Sequence, residues 1–212
     1  MKITIIYDNT AFRKDLQADW GFSALVEAEE KKILFDTGAN GSILLSNMEK
    51  LKLNPKEIED VFISHLHWDH IGGLPSFLRL NNKVKLWIPF YFPEAKDARE
   101  VIEVKKPRKL YEGIYSTGEL DGIEQSLCVQ TEKGIVIVVG CSHPIMEHIL
   151  QVASQFGKVY GIIGGLHGTS PESLKGLDLI CPTHCTQYKS QIRSLYPEKY
   201  IEGGAGKIIE IK

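Results

Sequence analysis

The sequence of 212 residues lacks any apolar stretch long enough to cross a membrane, and it carries little excess of charge. Its longest apolar runs, such as residues 135–139, have the length of a strand, whereas a membrane helix needs about 20 residues. The formal net charge is −2, so no strong field marks the chain as a partner of nucleic acid. Asp8 and Asn9 interrupt the N-terminal apolar run too early for a secretory signal, and we therefore expect cytoplasmic residence.

Cysteine is scarce as well, and the four residues are Cys128, Cys141, Cys181 and Cys185. Their spacing does not suggest a disulfide framework, and a cytoplasmic protein keeps its thiols reduced. Residues 181–185 read Cys-Pro-Thr-His-Cys, like half of a zinc ribbon, but no second pair matches them. We therefore expect Cys128 and Cys181 to be buried free thiols.

No low-complexity tract or Pro/Ser-rich linker divides the chain, so the sequence predicts a single domain over residues 1–212. Hairpins open each half of the chain, and strands then alternate with helices, which predicts two mixed sheets packed face to face with helices outside. The predicted strands cover residues 2–7, 21–27, 33–35, 60–64, 84–88, 127–131, 135–139, 158–163, 177–181 and 207–211. One predicted helix begins with Ser42 as its cap, and a short one follows Leu74. Three further helices are predicted over residues 93–104, 145–156 and 188–195.

Residues 65–70 read His-Leu-His-Trp-Asp-His and lie between a predicted buried strand and a Gly-Gly pair. His65 and His67 are two residues apart, so in an extended segment both rings can reach one ion. Asp69 and His70 follow after the chain begins to turn, and they can face a second ion. Imidazole and carboxylate are the expected ligands of Zn²⁺, Mn²⁺ or Fe²⁺, and the segment therefore predicts a metal centre.

Three later segments at predicted strand ends also carry histidine, and active sites commonly collect on such loops. These segments are Gly-Cys-Ser-His at residues 140–143, Gly-Gly-Leu-His at 164–167 and Thr-His-Cys-Thr at 183–186. Two interpretations of His167 stay open: it holds a loop, or it faces the substrate as a general acid or an oxyanion contact. His148 is expected to be an ordinary helix residue. Trp20 and Trp68 are expected to be packing residues, and Trp68, between two candidate ligands, is also a candidate for the mouth of the pocket. Residues 105–109 form a basic cluster that either is a solvated loop or attracts a phosphorylated substrate.

The His-X-His-X-Asp-His segment, with Asp-Thr-Gly at residues 36–38, resembles the metallo-β-lactamase superfamily over nearly the whole chain. The resemblance implies an α/β (α+β) protein, a four-layer αββα sandwich with a dinuclear metal site. It implies that His65, His67 and His143 bind one ion, that Asp69, His70 and His184 bind the other, and that Asp36 supports a ligand. It also implies a hydrolase in which two divalent ions, zinc before manganese or iron, activate water as hydroxide. Asp69 and His167 are then the candidate catalytic residues.

One departure concerns Gly140-Cys141, because many members have Gly-Asp there and that Asp bridges the metals. Cys141 is therefore either a thiolate ligand or a buried thiol beside the metals. The three later histidine segments resemble a subgroup related to dihydropterin–aminobenzene ribofuranosyl phosphate synthases, although Ile145 and Gln187 stand where that subgroup usually has glycine. The subgroup implies a small, phosphorylated or pterin-like substrate. The alternatives are a metal- or pterin-binding protein without turnover, a phosphodiesterase or nuclease-type member, and a di-iron redox protein; homo-oligomer formation stays open.

Overall fold

The computed structural model describes residues 1–90 and 92–212, and in this part of the chain two mixed β-sheets form. The first sheet has the strand order β13-β1-β2-β3-β4-β5-β6. Its strands are β1 (Lys2–Tyr7), β2 (Ser23–Ala28), β3 (Lys31–Phe35), β4 (Asp60–Phe62), β5 (Lys85–Ile88), β6 (Glu100–Glu103) and β13 (Ile208–Glu210). Strands β13, β1, β2 and β3 pair antiparallel, whereas β3 to β6 pair parallel.

The second sheet has the strand order β12-β11-β10-β9-β8-β7 and repeats the same plan. Its strands are β7 (Arg108–Tyr111), β8 (Ile114–Ser116), β9 (Leu127–Thr131), β10 (Gly134–Val139), β11 (Val159–Gly165) and β12 (Leu179–Thr183). An antiparallel meander runs from β7 to β10, and β10, β11 and β12 are parallel. The predicted mixture of hairpins and parallel strands is therefore confirmed in both sheets.

Helices cover the outer face of each sheet. They are α1 (Gly41–Lys50), α2 (Trp68–Ile71), α3 (Leu74–Leu80), α4 (Met146–Ala153) and α5 (Lys189–Leu195). Among the described residues, no helix is long and apolar enough to span a membrane.

Buried apolar side chains form three clusters between these layers. Val136 and Val138 of β10 lie in the cluster between the sheets, whereas Ile137, one residue away, packs under the helices of its own sheet. Leu34 of β3 likewise packs against α1 and α3. Successive side chains of a strand point to opposite faces, and both faces are buried here, which explains the continuous apolar run of β10. The expected four-layer αββα sandwich is confirmed.

The start of α1 differs from the prediction by two residues. The side chain of Asn40, not Ser42, caps the helix, because its Oδ1 accepts the N–H groups of Ser42 at 2.9 Å and Ile43 at 3.4 Å. The expected cap at Ser42 is therefore wrong; Asn and Ser are comparable capping residues, so residue preference alone does not favour Ser42 over Asn40. The apolar stripe of the predicted helix is retained, and Leu44 and Met48 are fully buried.

The predicted helix over residues 93–104 is wrong. A 3₁₀ turn covers Pro93–Asp97, and β6 then pairs parallel with β5, with Val101 opposite Leu86. Val101 and Ile102 are β-branched and favour a strand where a sheet edge is free to pair. Strands β7 and β8 were not predicted either; Arg108 and Lys109, expected in a basic loop, belong to β7.

Candidate metal centre

The chemically active side chains collect at one edge of the sandwich, where the carboxyl ends of the parallel strands meet. Each site segment directly follows one of these strands: Asp36 follows β3, His65 follows β4, Cys141 and His143 follow β10, His167 follows β11, and His184 follows β12. Both sheets contribute loops to the same edge. Residues that are far apart in sequence therefore come together on a rigid scaffold.

Four of these strand-end residues have left-handed backbone, which is uncommon for side chains other than glycine. Their φ angles are +50° at Asp36, +57° at Ser142, +44° at His167 and +46° at His184. Such strain costs about 1–3 kcal/mol per residue and persists where the surrounding structure enforces it, as at functional sites. The sequence motifs do not reveal this feature.

The first group of donor atoms contains His65, His67 and His143. His65 Nε2 lies 3.1 Å from His67 Nδ1, and His143 Nε2 lies 3.2 Å from the same His67 atom. All three donor atoms lie within 4.8 Å of one another. His65 is fully buried and His67 is exposed, so the group spans from the interior to the opening of the site.

The second group contains Asp69, His70 and His184, all of them buried. His70 Nε2 and His184 Nε2 lie 3.3 Å apart. Asp69 Oδ2 lies 3.2 Å from His184 Nε2 and 3.8 Å from His70 Nε2. The rings of His65 and His70 have centroids 4.1 Å apart, so the second group adjoins the first.

Both groups fit the donor geometry of a divalent ion. Nitrogen or oxygen ligands at 2.0–2.1 Å in a tetrahedral arrangement lie roughly 3.3–3.4 Å from one another. The distances of 3.1 to 3.8 Å within the two groups are close to that spacing. Imidazole with carboxylate is a donor set for Zn²⁺, Mn²⁺ or Fe²⁺.

Neighbouring side chains occupy the other ring nitrogen of three of these histidines. Asp36 Oδ2 lies 2.7 Å from His70 Nδ1, and Asn9 Oδ1 lies 2.9 Å from His184 Nδ1. Ser64 Oγ lies 2.9 Å from His65 Nδ1. Partners of this kind fix the tautomer and the orientation of a metal-binding imidazole. Asp36 also accepts the N–H and the hydroxyl of Ser64, each at 2.7 Å, and so ties β3 to the histidine segment.

Glu124 is a residue of the site that the sequence motifs missed. Its carboxylate is 1% exposed and accepts backbone N–H groups from Gly140, Cys141, Ser142 and His143, at 2.9 to 3.2 Å. It thereby holds the loop after β10 in one conformation. Glu124 lies in the segment before β9, where no histidine or glycine pattern marks it.

Trp20 contacts the second donor group. Its indole N–H donates to Asp69 Oδ2 at 2.9 Å, and its ring packs edge-on against His184 with centroids 5.3 Å apart. Trp20 and Trp68 are 51% and 64% exposed, so neither packs in the core. Trp20 stays at the surface since its polar atom finds its acceptor in the site rather than in the core.

The surroundings of the site lower the pKa of two of its imidazoles, whereas the neighbouring Asp36 carboxylate, against burial, raises that of His70. Burial and the neighbouring imidazoles lower the pKa of His65 far below its usual range, and they lower the pKa of His143 to about 4. Burial acts to raise the pKa of Asp69, but the hydrogen bond with His184 and the charge of His70 outweigh it and bring the pKa to about 2. Neutral imidazole and ionised carboxylate are the states that bind metal.

A cavity of about 390 Å³ opens beside the first donor group. His143, His167, Ile145, Met146 and Thr169 are among its lining residues. The rings of His143 and His167 have centroids 5.2 Å apart, so His167 faces the site, and its side chain is exposed. This position favours the interpretation of His167 as a residue that meets a ligand.

The remaining candidates lie outside the site. His148 lies on α4 and contacts Asp121 at 3.1 Å, as an ordinary helix residue does. In the basic cluster, Lys105 pairs with Glu119 at 3.1 Å and Lys109 pairs with Glu112. These pairs neutralise part of its charge.

Comparison with known proteins places this site in a family. Residues 20–170 match the family model of the metallo-beta-lactamase superfamily. The chain is 30% identical to the 7,8-dihydropterin-6-methyl-4-(β-D-ribofuranosyl)-aminobenzene-5'-phosphate synthase of Methanocaldococcus jannaschii, over 98% of this chain and 95% of that protein. This likeness confirms the subgroup that the histidine segments predicted. A shorter similarity, 34% identity over 84 residues, joins 40% of this chain to 26% of a ribonuclease Z from Treponema pallidum.

Solved structures of the same superfamily have a similar fold. A metal-dependent hydrolase of the β-lactamase superfamily superposes with a TM-score of 0.82 at 22% identity, over 100% of this chain and 99% of that chain. The family model covers more than half of the chain, and the methanogen relative aligns over nearly all of it. The chain therefore belongs to the metallo-β-lactamase superfamily and has its hydrolase fold.

Proposed function

We propose that the chain is a hydrolase that uses two divalent metal ions to cleave a small ester, phosphoester or pterin-like molecule. In this proposal His65, His67 and His143 hold the first ion, and Asp69, His70 and His184 hold the second. Zinc is the expected metal, and manganese and iron are the alternatives.

The convergence of two adjoining donor groups at one edge of the sandwich carries the proposal. Five imidazoles and one carboxylate come from three separate strand ends, and the closest donor atoms within each group lie 3.1–3.3 Å apart. The second ring nitrogens of His70, His184 and His65 contact Asp36, Asn9 and Ser64. A merely polar surface has no need for this support behind three of its rings.

Asp69 and His167 have defined parts in the proposed reaction. When bound, the ions supply Lewis acidity and make water acidic enough to give a hydroxide nucleophile near neutral pH. Asp69 stays ionised, since its pKa is about 2. It is therefore proposed both as a ligand of the second ion and as a catalytic carboxylate. His167 lies at the cavity, where an imidazole can deliver a proton to the leaving group.

The cavity supports a small substrate. Its volume of about 390 Å³ is near the lower end of ligand pockets. Among the described residues, no lysine or arginine lines it and Glu147 does, so the cavity itself offers neither of these cations to a phosphate. A pterin-like molecule is proposed because the name of the methanogen relative contains a dihydropterin joined to an aminobenzene ribofuranosyl phosphate.

The test is metal-dependent turnover across esters, lactones, thioesters, phosphomonoesters and phosphodiesters. We expect close to two metal ions per chain and loss of turnover with a chelator, restored by zinc, manganese or iron. His67→Ala and His184→Ala should each lower kcat/KM by at least 100-fold, because each removes a ligand from one donor group.

His148→Ala is the matched control, since His148 lies on α4 and contacts only Asp121 among side chains with which a hydrogen bond is described. Its turnover should equal that of the parent. Full turnover in both ligand variants would overturn the proposal. Metal and pterin binding without turnover on any substrate would also overturn it and would favour a binding protein.

A further inference from the structure

We infer that Cys141 and Cys185 form a reversible disulfide when the protein reacts with a hydroperoxide, and that this bond weakens ion binding at the second donor group. The disulfide itself is a modification of two thiols beside the site and is independent of the proposed reaction. Its effect on ion binding rests on the proposed function, because that proposal assigns the ligands.

The two sulfur atoms lie close together, although 44 positions separate the cysteines in sequence. Cys141 lies in the loop after β10, and Cys185 lies in the loop after β12. Their Sγ atoms lie within 4.8 Å of each other, and Cys185 Sγ lies 3.8 Å from the carbonyl oxygen of Cys141. An S–S bond is about 2.05 Å long, so a gap of at most about 2.8 Å remains. Rotation of the two side chains about their Cα–Cβ bonds can close such a gap.

Gly165 makes this approach of the two cysteines possible. It ends β11, which lies between β10 and β12, and strands two places apart in a sheet are about 9.5 Å from each other. A Cβ at Gly165 would lie 2.8 Å from Cys185 Sγ and 3.3 Å from the Cα of Cys141. The sulfur of Cys185 therefore packs over the middle strand at the point where that strand has no side chain.

The four cysteines differ in exposure, and this difference assigns the roles of the pair. Cys128 and Cys181 are fully buried in apolar clusters. Cys141 is 3% exposed, whereas Cys185 is half-buried. Oxidation of a thiol requires access to the oxidant, so a peroxide reaches Cys185 first. Cys141 is then the thiol that lies beside the oxidised sulfur.

The reaction has two steps. In the first, Cys185 Sγ attacks one oxygen of the hydroperoxide, the O–O bond breaks, and the other oxygen leaves with the thiol proton as water or an alcohol. In the second, Cys141 Sγ attacks the resulting sulfenic sulfur, the S–S bond forms, and the hydroxyl group leaves with the Cys141 proton as water. Two thiols thus supply the two electrons that reduce one hydroperoxide. A dithiol reductant reverses the change by exchange.

Both cysteines adjoin proposed ligands, so the disulfide affects the site. Cys141 Sγ lies 3.2 Å from His70 Nε2, and Cys185 directly follows His184, whose Nε2 lies 3.3 Å from the same atom. The disulfide ties the loop of His184 to the loop after β10 and holds two sulfur atoms beside these nitrogens. We therefore expect the second donor group to bind its ion more weakly in the oxidised protein.

Peptide mass mapping of the full chain, treated with hydrogen peroxide as purified, tests the inference. Free thiols are then blocked with iodoacetamide in denaturant. We expect one cross-link, between Cys141 and Cys185, and we expect Cys128 and Cys181 to carry the blocking group. Dithiothreitol should abolish the cross-link. After metal is removed, competitive zinc titration of the oxidised protein should show one ion bound at least 10-fold more weakly than in the reduced protein.

Single variants separate the roles of the two thiols. Cys141→Ser should leave a sulfenic acid on Cys185, which dimedone traps, and Cys185→Ser should leave its three remaining thiols free. Cys128→Ala is the matched control and should cross-link like the parent. Circular dichroism confirms that each variant is folded.

Absence of this cross-link from the oxidised parent, or pairing of either thiol with Cys128 or Cys181, would overturn the inference. A cross-linked protein that binds both ions as tightly as the reduced protein would overturn the effect on the second donor group. Cross-linking in a protein without turnover on any substrate would support the disulfide and contradict the proposed function alone.

Discussion

Glu124 Oε1 accepts the backbone N–H of Cys141 at 3.0 Å, and this contact joins the segment before β9 to the loop after β10. The same carboxylate takes three further N–H groups, from Gly140, Ser142 and His143. Ser142 has a φ of +57°, so the loop is strained as well as anchored. The position of His143 therefore depends on a buried carboxylate that is not itself a donor in either group.

Glu124→Gln should weaken metal binding at the first donor group. The amide replaces one acceptor oxygen by an NH₂ group, which opposes a backbone N–H of the loop. We expect a loss of about 1–3 kcal/mol in the free energy of unfolding and a 10- to 100-fold weaker zinc affinity. Urea denaturation of the metal-free protein and competitive zinc titration measure the two quantities.

Glu119→Gln is the control for this change, because Glu119 lies five residues earlier and pairs with the exposed Lys105. Its effect on unfolding should stay within about 0.5 kcal/mol. Equal zinc affinity in Glu124→Gln and the parent would show that the loop keeps its position without the carboxylate.

Trp20→Phe should weaken the second donor group selectively. Phenylalanine keeps an aromatic ring beside His184 but lacks the N–H that donates to Asp69 Oδ2. We expect roughly 10-fold weaker binding of one ion and little change for the other, as for other outer hydrogen bonds of metal ligands. Stepwise zinc titration measures the affinities of the two ions separately. Trp68→Phe is the control, and a similar loss there would contradict a specific role for the indole of Trp20.

The fold was predictable from the sequence wherever burial on both faces left a strong pattern. The continuous apolar run of β10 and the apolar face of α1 are examples. The histidine motif of residues 65–70 identified the edge of the sandwich where the site lies. The β6 segment was mistaken for a helix, since its pairing with β5 is a long-range contact that local pattern does not contain. The organisation of residues 1–212 as one domain stays a prediction.

The site itself was only partly predictable. Its histidines follow strands, so their convergence could be inferred, although their roles as metal ligands stay predictions. Glu124 and Trp20 could not be found, because each acts through a contact between segments that are distant in sequence. The left-handed backbone of Asp36 and His184 was equally hidden, since neither is glycine and the strain is imposed by the surrounding fold.

Asp60 should make the stability of the protein fall as pH rises, independently of the metal site. It is 1% exposed; Trp87 Nε1 and Tyr111 OH each donate to Oδ1 at 2.8 Å, and Oδ2 has no partner among the described residues. Burial raises the pKa of Asp60 despite these hydrogen bonds. The folded state therefore binds the proton more tightly than the unfolded chain, and ionisation of Asp60 disfavours folding.

Asp60→Asn removes this ionisation. The free energy of unfolding of the variant, relative to that of the parent, should rise from about pH 4, the pKa of an unfolded aspartate, up to the raised pKa of the folded state. Above that pH the difference should be constant. Urea denaturation over a pH series measures it, with the exposed Asp97→Asn as control. A difference that falls with pH would mean that the fold stabilises the Asp60 carboxylate instead.

Removal of metal should lower the melting temperature, because the ions bind the folded site and not the unfolded chain. A ligand at 100 times its dissociation constant stabilises a protein by about 2.7 kcal/mol, and for a chain of this size each kcal/mol shifts Tm by roughly 2–4 °C. We therefore expect a chelator to lower Tm by roughly 5–10 °C. A variant carrying both His67→Ala and His184→Ala should show almost no chelator shift, and an undiminished shift in that variant would place the stabilising metal elsewhere.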